Sequence, residues 1–364
     1  MKARLGVAVA VIVFVNILVL SLITYPSLML FGNSRKSRHD QILSPDSNSW
    51  LERIQTKVQV IRMFLNNSSP TSPADNPGNK LGHYILLDNR TCGDSDVIDV
   101  VLLVHTAPKH ATNRQRIRQS FSQRPSFLPF QVRTAFLLGQ TPSKTLQAQL
   151  RQEHFTYRDL VMGEFLDSYH NLTLKGVMGY HWVSQHCSNA RVVLKIDDDI
   201  IVNMYKFLDS LLEQIASRSK SIFCNLWRKN TMQIQRKGKW KVEANIFYNK
   251  QVYPYDYCSG FVVAMTTDLM KPMYEAAKAT PFFWVDDVYL FGMLPKVVGG
   301  VHYFNYALDQ NLTLNGKEAL RCARTEGAQC PIFASFVSKK EYWRYWNLIE
   351  DIYTRDWKTR FTSQ

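Results

Sequence analysis

Apolar residues in this chain fall into three kinds of run. The first, LGVAVAVIVFVNILVLSLITY at residues 5–25, is apolar on every side. At about twenty residues it is long enough to span a hydrocarbon core of roughly 30 Å as a helix. The second kind is short and continuous: IDVVLLVHT (98–106), FQVRTAFLLG (130–139) and RVVLKID (191–197). Such runs mark strands buried on both faces. The third repeats at helical spacing. In MYKFLDSLLEQIA, Met204, Phe207, Leu208, Leu211, Leu212 and Ile215 share one face. NRQRIRQSF (113–121), with Asn113 as its N-cap, SKTLQAQLRQEH (143–154) and NLTLKGVMGYHWVSQHC (171–187) also read as helices. Strands alternating with helices at this rhythm predict an α/β domain with a Rossmann-like, mostly parallel sheet. Its ligand is expected at the carboxyl ends of the strands.

The segments before the first strand divide the chain further. A cleaved signal peptide has an apolar core of about 7–15 residues and a small-residue cleavage site, whereas here the core is longer and Pro26 follows the bulky Tyr25. The run therefore reads as a transmembrane signal anchor (5–25) behind a cytoplasmic tail (1–4). Residues 26–95 read as a stem. WLERIQTKVQVIRMFL (50–65) could form a short helix, while NNSSPTSPADNPGNK (66–80) has too little apolar surface to fold alone. The folded domain is expected at 96–364, and no internal repeat is visible.

Orientation does not follow from the flanking charges, because Lys2 and Arg4 face Arg35, Lys36 and Arg38 across the run. Two other features favour the lumen for the bulk of the chain. N-glycosylation sequons occur at Asn66, Asn67, Asn89, Asn171 and Asn311. The six cysteines include no C-x-x-C pair, which suits disulfides in an oxidising compartment. The expected pairings are Cys322–Cys330, which are close in sequence, Cys92–Cys187 and Cys224–Cys258. The net charge of +14 is dispersed rather than clustered, so nucleic acid is not the expected partner. An anionic membrane surface, a phosphate-bearing substrate or plain solvation accounts for it better. Self-association as a homodimer is compatible with these features.

Chemistry concentrates in two acidic stretches. KIDDDI places Asp197, Asp198 and Asp199 at the end of a buried strand. Like charges so close are tolerable in a solvated turn or around a hard divalent cation, which binds through one or two carboxylates plus substrate phosphates. FFWVDDVYLFGML sets Asp286 and Asp287 among aromatic and aliphatic residues. There they could cap a helix, or, with pKa values raised by desolvation, act as a general base. No G-x-G-x-x-G follows the first strand, and no Walker, H-E-x-x-H or G-x-S-x-G sequence is present. Dinucleotide dehydrogenase, kinase-like, metalloprotease and hydrolase readings lose their signatures.

Taken in order, NRQRIRQSF, EFLDSYHNLTLKGVMGYHWVSQHC, LKIDDDIIVN, VYPYDYCSGFVVAM and WVDDVYLFGML resemble the motifs of the β-1,3-galactosyltransferase and β-1,3-N-acetylglucosaminyltransferase superfamily. The resemblance covers residues 98–305 and implies a type II Golgi enzyme with a GT-A fold. It implies that Asp199 ligates Mn²⁺ or Mg²⁺, with His302 completing the metal site. Asp197 and Asp198 would face the ribose and phosphates of a UDP-sugar. Arg114, Arg118, Asp159, Asp167 and Lys175 would lie around the donor, with Tyr169 and Leu172 as packing. Asp287 would be the general base, with Asp286 as the alternative. Trp240, Tyr253, Tyr255, Tyr257 and Trp284 could stack against acceptor sugars. The implied reaction is inverting transfer of GlcNAc or Gal, and less readily GalNAc, to a glycan on a glycoprotein or glycolipid. Three departures bear on donor and acceptor choice: no second glycine follows Cys258-Ser259-Gly260, Phe121 stands where Trp is usual, and Asp286 where Glu is usual. A fringe-like transferase extending an O-linked sugar is the alternative enzyme. A non-catalytic lumenal glycan-binding protein or chaperone would not need the base, and a calcium-binding protein lacks its loop sequence.

Overall fold

The computed structural model of this chain describes residues 55, 75–81, 83–88, 90–93, 95–122 and 124–361. The apolar run at 5–25 and the sequons at Asn66, Asn67 and Asn89 lie outside them, as does the 50–65 segment apart from Gln55. Among the described residues no helix is long and apolar enough to cross a membrane.

The three predicted apolar runs are strands β2 (Ile98–His105), β3 (Val132–Gln140) and β5 (Ala190–Asp197), joined by β4 (Leu160–Leu166). With β1 (Tyr84–Leu86), β7 (Ser221–Trp227), β8 (Tyr257–Thr266) and β9 (His302–Asn305) they form an eight-stranded sheet in the order β1-β4-β3-β2-β5-β8-β7-β9. β4, β3, β2 and β5 pair in parallel, while β8 runs against both β5 and β7, and β1 against β4. The sheet is therefore mixed. Its consequence is that the carboxyl ends of β2, β4 and β5 share one edge with the start of β8.

Each face of the sheet is covered, which is why β2 and β5 are apolar at nearly every position. α3 (Leu172–His186), α5 (Met270–Ala279) and α6 (286–298) pack on one face through Val177, Met273 and Leu290 among others. α1 (Ala111–Arg118), α2 (Lys144–Tyr157) and α4 (204–216) cover the other, with α7 (Gly316–Glu326) and α8 (Tyr342–Phe361). The aromatic C-terminal helix is core, not membrane-facing: Tyr345, Trp346, Tyr353 and Trp357 are all buried. Both π-type turns, at Phe207–Leu211 and Tyr289–Met293, interrupt otherwise continuous helices. A small second sheet, β10 (Leu312–Thr313), β11 (Ala334–Phe336) and β6 (Ile200–Val202), braces the segment just after the aspartate triplet.

Two boundaries differ from expectation. The folded unit begins before residue 96, because β1 pairs with β4 and Cys92 is bonded to Cys187. A three-residue strand carries no periodicity of its own, so composition alone placed it in the stem. α1 starts at Ala111, and Asn113 is inside it rather than capping it. The three disulfides, Cys92–Cys187, Cys224–Cys258 and Cys322–Cys330, are the expected ones.

Candidate active site

A cavity of about 570 Å³ opens at the carboxyl ends of β2, β4 and β5. That is within the usual size of a small-molecule site. Asp197, Asp198 and Asp199 line it, together with Thr106, Asp167 and Lys175. Buried struts hold its walls. Lys175 donates to the Thr106 carbonyl at 2.5 Å and lies 3.0 Å from Asp167. Asp167 in turn accepts from the Gly139 amide at 2.7 Å. One lysine thus ties the ends of β2, β3 and β4 together. Burial pulls its pKa below the usual lysine range, and Asp167 offsets only part of that.

The three aspartates have separate situations. Asp198 accepts from Thr106 Oγ1 (2.5 Å), His110 Nδ1 (2.8 Å) and Asn113 Nδ2 (3.0 Å). Its carboxylate is occupied in shaping the loop after β2, which is a different task from the expected contact with a ribose. Asp197 pairs with the buried Lys195 at 2.7 Å. Asp199 is exposed, and no side-chain donor reaches it among the described residues. Partial desolvation of its carboxyl by the surrounding walls, then the charges of Asp197 and Asp198, push its pKa up. A divalent cation would relieve that repulsion, and a hard oxygen ligand suits Mn²⁺ or Mg²⁺. Among the described residues no group of three His, Cys, Asp or Glu could hold a metal. The remaining ligands would have to be phosphate and water oxygens, as is usual for Mg²⁺.

Asp286 and Asp287 open α6 and face Lys195 across the start of β8. Burial pushes both carboxyls up, Asp287 furthest, because the like charge of Asp286 adds to it. Asp287 packs against Gly260, whose backbone favours the ionised carboxyl and offsets part of that rise. A Cβ there would collide with Asp287 Oδ1, so the glycine lets the carboxylate sit where it does. His105, at the end of β2, is buried with Nδ1 unpartnered among the described residues. Burial, then the cations of Lys195 and Lys175, hold its pKa well below the ordinary value, so the imidazole is neutral.

Other expected site residues lie elsewhere. Arg114 is fully buried, bonded to Glu153 (2.6 and 2.7 Å) and to the carbonyls of Ala107 and Pro108. Arg118 is held by Asp159 and Glu153 at 2.7–2.8 Å. Asp159 precedes β4, at the opposite edge of the sheet from the cavity. These groups already satisfy one another and are not placed to touch a donor; Arg114 supports the cavity loop from behind. His302 opens β9 opposite Ser221, while Ile222 pairs through Met265 with Val193. It therefore sits at the sheet end remote from Asp199 and cannot share its ion. Tyr253, Tyr255 and Tyr257 are buried in the core and present no face to a sugar. The Asn171 and Asn311 amides each donate to a backbone carbonyl, of Leu166 and Pro331.

Trp240 and Trp284 do stand at the rim. Trp240 Nε1 donates to Tyr169 Oη at 2.7 Å, and the Trp284 ring is 6.2 Å from Tyr169 and 4.5 Å from His170. Tyr169 also lines the cavity, so aromatic faces begin where the cavity ends. Lys195, His105 and His110 were not singled out by the sequence reading. Lys195 carried a signal: a lysine inside a strand buried on both faces needs a counter-charge.

The family model described as galactosyltransferase matches residues 112–305. The chain is 29% identical over 265 residues to beta-1,3-galactosyltransferase 1 of Homo sapiens, covering 72% of this chain and 77% of that protein. It is 31% identical over 216 residues to beta-1,3-galactosyltransferase 5 of Homo sapiens, covering 58% and 67%. Among solved structures, the galactosyltransferase LgtC with donor and acceptor sugar analogs matches at 12% identity and a TM-score of 0.34, covering 71% of this chain and 99% of that one.

Proposed function

The chain belongs to the galactosyltransferase family, and on that premise we propose that it is an inverting, metal-dependent β-1,3-glycosyltransferase of GT-A fold. The donor is UDP-galactose or UDP-N-acetylglucosamine, and the acceptor a glycan on a glycoprotein or glycolipid. The observation that carries this reading is the setting of Asp287: a carboxyl with a raised pKa, linked through one glycine residue and one lysine to an aspartate that lines the cavity.

Asp287 takes the proton from the acceptor hydroxyl as its oxygen attacks the anomeric carbon. Attack opposite the departing UDP converts an α-linked donor into a β-linkage, so one base suffices and no covalent intermediate is required. Lys175 and the Asp198 network keep the cavity walls fixed while the bond changes, which preserves the attack geometry. Asp199 would hold Mn²⁺ or Mg²⁺ with the donor phosphates and water, and the ion would supply positive charge to the leaving diphosphate. Three disulfides and the apolar run at 5–25 support a type II membrane protein with this domain in the Golgi lumen.

The test is release of UDP by the full-length chain from a panel of UDP-sugars with Mn²⁺ and glycan acceptors. Turnover is expected with UDP-Gal or UDP-GlcNAc. Retained turnover in both Asp199→Asn and Asp287→Asn would sink the mechanism. Saturable sugar binding without turnover of any donor would make the chain a glycan-binding protein.

A further inference from the structure

Lys195 is 4% exposed in the middle of β5, with Leu194 and Ile196 fully buried beside it. Taking an ammonium out of water costs several kcal/mol unless it is paired and hydrogen-bonded. Its partners explain its presence and suggest its task. Nζ donates to Asp197 Oδ1 at 2.7 Å and to the Gly260 carbonyl. The Asp287 carboxylate packs directly against that same glycine, with Oδ1 where its Cβ would be, and the Gly260 backbone favours its ionised form. A side chain at this position would displace the Asp287 carboxylate from where it sits.

We propose that Lys195 is a positioning residue that ties the cavity-lining Asp197 to the general base Asp287 through the single residue Gly260. This rests on Asp287 being the base. The lysine grips one side of Gly260 and the base hangs from the other, so the base inherits its place from the donor side of the site. The groups facing Asp287 are Asp286 on α6, Lys195 and Asp197 on β5, and Tyr257 on β8. Lys195 also faces His105 on β2. It is the one cation in that set, and its charge makes the ionised base less costly.

Two substitutions separate charge from geometry in the full-length chain. Lys195→Met removes both. Its kcat is expected to fall at least tenfold at neutral pH, and the acidic limb of its kcat–pH profile to move up by about one unit, so that part of the loss returns at high pH. Lys195→Arg keeps the charge but replaces a point donor by a planar fork. Its kcat is expected to fall by a similar factor with the limb unmoved and donor KM within about threefold of wild type. A residue that only stabilises the fold would lower the yield of active protein without moving the limb. An unmoved limb in Lys195→Met, or wild-type kcat in Lys195→Arg, overturns the proposal. If Lys195→Met does not fold, the Lys195→Arg result decides. Asp287→Asn run in parallel keeps the two readings apart. Full turnover there defeats the base assignment itself, whereas an inactive Asp287→Asn with an unaltered Lys195 pair defeats only the linkage.

Discussion

Beneath α1, two buried cations meet two carboxylates. Arg114 and Arg118 share Glu153, Arg118 also holds Asp159, and the Tyr157 ring stacks on the Arg118 guanidinium at 4.0 Å. At the carboxyl ends of β2 and β5 the balance is different. Lys195 alone faces Asp197, Asp286 and Asp287, and Asp199 stands nearby with no side-chain donor among the described residues. The pKa directions follow this contrast. Burial alone would raise Glu153, but its hydrogen bonds and charges from Arg114 and Arg118 outweigh that and hold it low. Asp199, Asp286 and Asp287 are all pushed up. The first cluster has closed its charge account and is structural. The second keeps an excess of negative charge beside a cavity, where a cation and a proton are wanted.

The largest expected effect breaks the second cluster. Asp287→Asn should lower kcat by about 10³–10⁴-fold, the range a positioned general base supplies, with donor KM within a few-fold of wild type. The same change removes a carboxyl that burial disfavours, so stability should rise by about 1 kcal/mol, read as a higher unfolding midpoint. Loss of both activity and stability would mean that Asp287 is holding the fold together instead.

The first cluster should respond the other way. Arg118→Met leaves Asp159 without its cation, while Glu153 keeps both hydrogen bonds from Arg114; stranding buried charge costs about 3–5 kcal/mol. The surviving folded protein should turn over at close to the wild-type rate, because neither carboxylate reaches the cavity. Chemical denaturation paired with active-site-normalised kcat checks this. A kcat loss beyond about tenfold in folded protein would return Arg118 to the donor site.

These two clusters also show what the sequence could reveal. The acidic triplet and the Asp286–Asp287 pair were legible because they sit at the end of a predicted strand and in a conspicuously apolar setting, whereas Asp167 and Lys175 came only from the family resemblance. Arg118 and Asp159 were misplaced because they bond each other directly, with Glu153 from the helix between them in sequence as a further partner, which no local pattern shows. His302 was misplaced because its distance from Asp199 is set by the register of β7, β8 and β9, which no local pattern encodes. Tyr255 and Tyr257 alternate along the approach to β8 like exposed residues, yet Phe247 and Phe283 fold over that segment. Lys195 was passed over although its apolar neighbours were in plain view.

Changing pH titrates both clusters at once and should separate them further. Asp287 has a raised folded pKa, so its stabilising contribution is present at low pH and is lost as pH rises through that value. The proposed mechanism needs the ionised form, so kcat should climb about tenfold per unit on the acidic limb and level off above the raised pKa, well beyond the ordinary carboxylate range. Glu153 has a lowered folded pKa. Its contribution is full above its ordinary value of 4.5 and falls away as pH drops through the folded one. Activity should thus fail on acidification while the unfolding midpoint is still near its maximum. A kcat limb that coincides with the loss of stability would mean that one cluster governs both.

The smallest effect belongs to the rim, where neither cluster acts directly. Tyr169→Phe keeps the ring against Trp284 and the cavity wall but removes the acceptor for Trp240 Nε1. A hydrogen bond of this kind contributes about 0.5–1.5 kcal/mol, less here because Trp240 is 51% exposed and can turn to water instead. Lys239, which lies 4.5 Å from the Tyr169 ring and 5.4 Å from the Trp240 ring, gives the pair a second tie that the substitution leaves intact. If Trp240 forms part of the acceptor surface, its loosening should raise acceptor KM about two- to fivefold while donor KM and the kcat–pH limb stay where they are. A rise in donor KM alone would assign the Tyr169–Trp240 contact to the nucleotide side of the cavity, and the aromatic rim would then extend the donor site rather than begin the acceptor's.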